Sequence, residues 1–331
     1  MLLFNFKRNL KLLAKAKTYI SKGKELITSK MLGLEPKLSS APVCLGMVAD
    51  NCYFLHSTGG ASDLKINLYE SFQVTEEEDY FTKLAEIVKK NKYENVPCSW
   101  ILQPSEYQVI ITDELPVEDA EFQAAIRWKI KDLVRFPAED LLIDSFPLPP
   151  GANSSQNKIM VVVSKMSEII SLREKLTDIG LKLIIVDIPE MSLRNILNLY
   201  PKEGYASAIL YIKDKNAQLI VVFEHNIYVT RNLMISKEVL KSAGFSQLIE
   251  RLHSEISRSF EYFYKSIGKQ VPMQVIFASS INIDESDIDL LAKRIDVPFI
   301  KFDASHIFVG QEMPDITTQA KYLNFIGGLL R

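Results

Sequence analysis

No stretch of this chain approaches the ~20 consecutive apolar residues that a membrane-spanning helix needs. Its longest apolar runs, such as Ile159–Val163 and Leu219–Phe223, are strand-sized. The N-terminal LLFNF is too short for the apolar core of a secretory leader and is followed by scattered lysines, so a cytoplasmic location is expected. Cys44, Cys52 and Cys98 show no C-x-x-C spacing, and His56, His225, His253 and His306 form no H-x-x-x-H pair. No metal site is therefore expected, and the thiols read as buried and free in a reducing compartment. G-x-x-x-x-G-K-[ST], G-x-G-x-x-G, H-E-x-x-H and G-x-S-x-G are all missing. The adjacent carboxylates Asp113–Glu114 and Glu139–Asp140 sit beside helix ends and read as solvated caps, not acid/base pairs.

What is present is a chain of 331 residues, too long for one small core, so two domains are expected. Charge is unevenly spread. Residues 1–40 hold nine Lys/Arg against two Glu, a net +7, while the remainder carries 30 basic and 39 acidic residues, a net −9. Leu3, Phe6, Leu10, Leu13 and Ile20 recur in the arm at roughly helical spacing, with Lys7, Lys11, Lys15 and Lys22 between them. Such a cationic amphipathic helix can lie on an anionic membrane surface, through Phe6, Lys7, Leu10, Lys11, Leu13 and Lys15. A mobile tail, or a helix packed on its own domain or on a partner, fits the same pattern. Nucleic acid is not expected, because the acidic body would repel a duplex.

From Val43 to Leu68 the pattern reads as strands. Thr75 and Glu78 form a capping box for a helix reaching about Asn91, and the acidic run Glu76–Asp79 reads as first-turn charge. Strands are expected at Ser99–Leu102 and Tyr107–Thr112. Pro116 can open the next helix, with Phe122, Ile126, Ile130 and Leu133 as its apolar stripe, Arg135 in its last turn and Pro137 as its stop. Trp128 falls about 140° from the centre of that stripe, beside Ala124 and Glu121. It reads either as an anchor for a partner or as a side chain that another subdomain covers. Further strands are expected at Leu141–Phe146, Lys158–Ser164 and Leu183–Asp187. A helix runs from about Ser167, closed by Gly180, and another follows over Glu190–Leu199. Three antiparallel strands then precede a long helix, repeating the order seen after Val43. The aromatic run Phe260, Tyr262, Phe263, Tyr264 covers several helix faces and reads as buried between subdomains.

The segment ELPVEDAEFQAAIRWKIKDLVRFPAEDLLIDSFPLP (Glu114–Pro149) resembles the PilM-like proteins of bacterial type IV pilus assembly. Weaker likenesses in the same order are VDIPEMSLRNIL, YVTRNL, LIERLHSEISRSFEYFYKS and YLNFIGGLLR. The resemblance implies an α/β, actin-like (ribonuclease H-like) duplicated fold. The expected parts are an arm (1–40), a first domain (41–188) with an inserted α+β subdomain (about 104–186), and a second domain (189–331). The C-terminal helix of the second domain (about 316–331) is expected to pack back on the first.

The resemblance also implies where ATP would bind, on two glycine-rich turns carrying Asp-x-Gly and on a Gly-Gly pair. Here Val48 and Asp50 stand at the first Asp and Gly positions, Tyr211 and Lys213 at the second, and Ser279–Ser280 at the third. A carboxylate at a phosphate-cradling position repels the ligand. With all three elements altered, no cofactor is expected, ATP·Mg²⁺ at most weakly, and no catalytic residue is assigned. The implied role is an adaptor at the inner membrane that holds the N-terminal tail of a PilN-type protein, in a groove between the first subdomain and the inserted one, and couples it to the assembly motor. The alternatives are a nucleotide-switched ATPase of the same machine and a self-assembling filament protein.

Overall fold

A computed structural model describes residues 41–59, 63–75, 79–117, 119–149, 157–234, 237–309 and 314–330. The basic arm, with its proposed membrane contacts from Phe6 to Lys15, lies outside the described residues. The first sheet is built from β1 (Val43–Val48), β2 (Asn51–Thr58), β3 (Lys65–Gln73), β4 (Pro97–Ile101) and β8 (Lys182–Asp187), in the order β3-β2-β1-β4-β8. The second sheet uses β9 (Ala206–Ile212), β10 (Asn216–Phe223), β11 (Asn226–Met234), β12 (Met273–Ser279) and β13 (Phe299–Lys301), in the order β11-β10-β9-β12-β13. Each sheet begins with an antiparallel three-strand meander whose first strand then pairs in parallel with the fourth. The two halves therefore share one topology although their sequences show no repeat.

Helices α1 (Tyr80–Asn91) and α3 (Met166–Asp178) belong to the first half, α5 (Lys237–Ile267) and α6 (Glu285–Ile295) to the second. The α1 start differs from the capping-box reading: Asp79 is the cap, its carboxylate accepting from the Phe81 amide at 3.1 Å. Between the sheets lie α4 (Pro189–Ile196) and two short helices, α7 (Ile316–Lys321) and α8 (Leu323–Leu329). The expected single C-terminal helix is thus broken at Tyr322. Helix α8 packs on α4, β1, β2 and β4, so the end of the second half is built into the first.

Alternation along β9 explains how one core serves both halves. Ala208, Leu210 and Ile212 face α5 and α6, whereas Ile209 and Tyr211 face α4 and join the core of the first sheet. Phe260 and Phe263 belong to the core under the second sheet, not to a boundary between subdomains, and Tyr262 is largely exposed.

The inserted subdomain is a three-stranded antiparallel sheet, β5 (Tyr107–Asp113), β6 (Leu141–Pro147) and β7 (Lys158–Lys165), with β7 central. Helix α2 (Asp119–Ile130) covers one face. Because β8 pairs with β4, the separate sheet ends at Lys165, and α3 with β8 completes the first sheet. Helix α2 is shorter than the apolar stripe suggested. Ile126 and Ile130 are fully buried, but the chain leaves the helix after Ile130, which puts Leu133 on the surface at 58 % exposure. Arg135 then lies beyond the helix, and its guanidinium donates to the carbonyls of Pro104, Ser105 and Tyr107, at 3.1, 2.7 and 2.7 Å.

Candidate functional site

Two surfaces and one buried cluster hold the chemistry of this chain. The first region is where the fold would cradle a nucleotide. The β1–β2 connection is a two-residue turn, Ala49–Asp50, with Ala49 at φ +50°, a backbone region that favours glycine. Val48 ends β1 and Asp50 is exposed on the turn. At the second position Tyr211 is buried, and its hydroxyl donates to the Ala320 carbonyl at 2.8 Å and is hydrogen-bonded by Ser280. The Ser280 amide in turn donates to the Ile212 carbonyl at 3.0 Å, and Ser279 folds its hydroxyl onto the Ile281 carbonyl at 2.7 Å. The second and third elements therefore meet each other. Tyr53 approaches the same region, stacked on Phe325 at 5.0 Å and edge-on to Tyr322 at 5.2 Å.

Lys213 follows Tyr211 out of β9. Its ammonium is desolvated and donates to Gln218 Oε1 at 3.1 Å, and burial pushes its pKa down to about 8. The carboxylate that attracts it is Glu190, in the first turn of α4. Glu190 is itself buried, which raises its pKa, and accepts a 2.7 Å hydrogen bond from the Tyr107 hydroxyl at the start of β5. Buried Asp187 lies close enough to add an opposing negative charge. The inserted sheet and the α4 layer thus each contribute one buried group, and the second half the half-buried Lys213, to a single cluster. Sequence reasoning missed Tyr107 and Glu190. A glutamate after a helix-opening proline reads as an ordinary dipole partner, and nothing local reveals that this helix is enclosed by two sheets.

A consequence for stability follows from Lys213. Between pH 8 and the ordinary lysine value of 10.5, the unfolded chain holds a proton that the folded chain has released. Stability contributed at this site therefore rises with pH through that window. The wild type should gain on a Lys213→Met variant by about 2 kcal/mol between about pH 7 and about pH 9.5. Paired urea melts at the two pH values read the difference, and a constant gap would mean the ammonium is not desolvated.

The second region is the inserted subdomain. Trp128 is 73 % exposed, its ring 5.3 Å from the Lys131 ammonium, and Ala124 and Glu121 are exposed on the same side of α2. This side is opposite Ile126 and Ile130, which pack on the sheet. The other face of the sheet carries rows Tyr107–Ser164–Leu142, Val109–Val162–Asp144 and Ile111–Met160–Phe146. Tyr107, Leu142 and Val162 join the core of the first half. Farther out, Val109 and Phe146 are half-buried and Ile111 is 53 % exposed, leaving an apolar shelf that faces away from α2. The shelf and Trp128 are on opposite sides of the subdomain, so the structure does not bring the candidate anchor to the groove between subdomains.

Among the described residues no group of His, Cys, Asp and Glu could hold a metal ion, and no helix is long and apolar enough to cross a membrane. The three cysteines are buried, and desolvation pushes the Cys52 thiol up to about 12.

Duplicated sheets enclosing a shared helical layer define this chain as an actin-like-fold protein. The fold matches that of the "PilM-PilN type IV pilus biogenesis complex" with a TM-score of 0.64 and 14 % identity, covering 89 % of this chain and 97 % of that one. Lesser likenesses are to the cytoplasmic domain of EpsL, an inner-membrane component of the Vibrio cholerae type II secretion system (TM-score 0.47, 9 % identity, 85 % and 93 % covered). A Bacteroides thetaiotaomicron protein with an actin-like ATPase fold and unknown function follows (TM-score 0.45, 10 % identity, 87 % and 98 % covered). No family model and no curated protein matches the sequence.

Proposed function

We propose that this protein is a non-catalytic adaptor of a type IV pilus machine, held at the cytoplasmic side of the inner membrane by the tail of a PilN-type protein. The observation that carries the reading is the concentration of exposed apolar side chains on the inserted subdomain. Among the described residues, four of the nine exposed large hydrophobic side chains, Ile111, Val117, Trp128 and Leu133, fall within it. Exposed apolar side chains on both sides of the subdomain suit protein docking. The shelf of Val109, Ile111 and Phe146 suits an apolar tail. The outer face with Trp128, Ala124 and Glu121 is left for a second contact in the same assembly, such as the motor. The segment Glu114–Pro149 favours the MSHA-pilus biogenesis protein MshI among PilM-like proteins.

The adaptor reading also requires no nucleotide turnover. Tyr211 at the Asp position, Lys213 and Asp50 at the two Gly positions and Ser279–Ser280 at the Gly-Gly pair support that. Tyr211 is buried and bonded to the Ala320 carbonyl, Lys213 is turned to Gln218, and Asp50 adds a carboxylate on the first turn, where it would repel phosphate. The basic arm offers a peripheral membrane contact in addition.

The test is capture of a PilN-type cytoplasmic tail peptide, measured by calorimetry with and without Mg·ATP. The adaptor reading expects micromolar capture indifferent to nucleotide. Capture that appears only with Mg·ATP would make the protein a nucleotide-switched member of the same machine. No capture under either condition would remove the adaptor reading.

A further inference from the structure

Between the shelf on the inserted sheet and the second half of the molecule lie buried Tyr107 and Glu190 and half-buried Lys213. Tyr107 stands on the same strand and the same face as Val109 and Ile111, at the inner end of the shelf. Its hydroxyl reaches across to Glu190 in α4, so this one 2.7 Å bond ties the inserted sheet to the layer between the two main sheets. Among the described residues no cation makes a hydrogen bond or ion pair with the carboxylate. Lys213 donates to Gln218, not to Glu190, and acts on the carboxylate through space. The groups facing Glu190 are Tyr107 from β5, Asp187 from the end of β8, and Lys213 from the turn after β9.

We propose that Tyr107 and Glu190 form a latch that fixes the stance of the apolar shelf, and that Lys213 of the second half sets how tightly the latch holds. This rests on the shelf being the docking surface proposed above and describes its regulation. A hydrogen bond to an ionised carboxylate is roughly twice as strong as one to a neutral acid. Burial raises the Glu190 pKa, the Lys213 ammonium favours the ionised form against it, and Asp187 opposes that ammonium. Moving or neutralising Lys213 therefore weakens the bond to Tyr107 without touching either partner. Arg135 steadies the same strand from its other side, through the Tyr107 carbonyl, so loss of the latch loosens β5 without detaching it. Glu190 and Tyr107 are positioning residues in this scheme, since neither is exposed to a ligand.

Hydrogen exchange on the full chain tests the latch without any tail peptide, so its outcome is separate from that of the docking reading. Tyr107→Phe should speed exchange of β5, β6 and β7 amides by about tenfold and Lys213→Met, which leaves the tyrosine a weaker acceptor, by a smaller factor, with β1 and β4 amides unchanged. Glu190→Gln keeps an acceptor for the tyrosine and should give a smaller acceleration, while Lys213→Arg should restore wild-type exchange. Lys213→Met with no effect on the inserted strands would overturn control by the second half. Equal acceleration in β1 and β4 would reduce the cluster to a general stabilising contact and overturn the latch.

Discussion

Replacing Gly327 with alanine is expected to destabilise the protein by about 3 kcal/mol, among the largest single-methyl effects available in this fold. Helix α8 runs through the layer between the sheets with no spare room on either side. A Cβ on Gly327 would sit 2.0 Å from the Ser192 carbonyl oxygen of α4, and one on Gly328 would sit 2.6 Å from Cys44 Sγ of β1. The first neighbour is backbone, so the whole of α4 or α8 must move. The Asn195 side chain, which donates to the Gly327 carbonyl at 3.0 Å, would be displaced with it. A control comes from Gly204, which has φ +74° but no atom within 4 Å of its missing Cβ. Gly204→Ala should cost only the backbone strain, about 1 kcal/mol. Urea melts of the two variants separate contact from conformation. Equal losses at both sites would mean that α8 is not wedged between α4 and β1.

That wedge was not legible in the sequence, although the segment YLNFIGGLLR stands out in it. Two adjacent glycines in a short apolar helix are compatible with a turn, a flexible end or a close approach, and only the position of α4 decides among them. The strand order was equally hidden, because β1–β2–β3 meanders fit many α/β arrangements and the parallel pairing of β1 with β4 is a tertiary fact. What could be read was local. The period-2 alternation placed most strands to within two residues. The 3.6 period put Ile126 and Ile130 inside and Trp128 outside. Leu133 failed because periodicity was extended past the point where the helix stops. Lys213 was recognised only as the residue at a glycine position, since its partial burial and its bond to Gln218 are tertiary facts. The residues of the latch come from positions 107, 190 and 213, too far apart in sequence for any spacing rule to associate them.

Ile111→Glu should weaken capture of a PilN-type tail about 100-fold, the loss of the shelf's most exposed apolar contact plus a charge left against apolar surface. Ile111 lies at the open end of the shelf on an edge strand and is 53 % exposed, so the same substitution should leave stability within about 0.5 kcal/mol. Trp128→Ala is the matched comparison. Trp128 is the more exposed and larger side chain, and from the helical period alone it is the stronger candidate anchor. It stands on the far side of α2 from the shelf, however, with the three-stranded sheet between them. Its loss should therefore change tail affinity by less than about threefold, a difference of roughly 0.6 kcal/mol. Calorimetric titration of both variants with one peptide assigns the surface. A large loss for Ile111→Glu alone places the tail on the inner shelf. A large loss for Trp128→Ala alone would move the docking site to the outer face of α2 and leave the shelf, and the latch behind it, without a ligand to position.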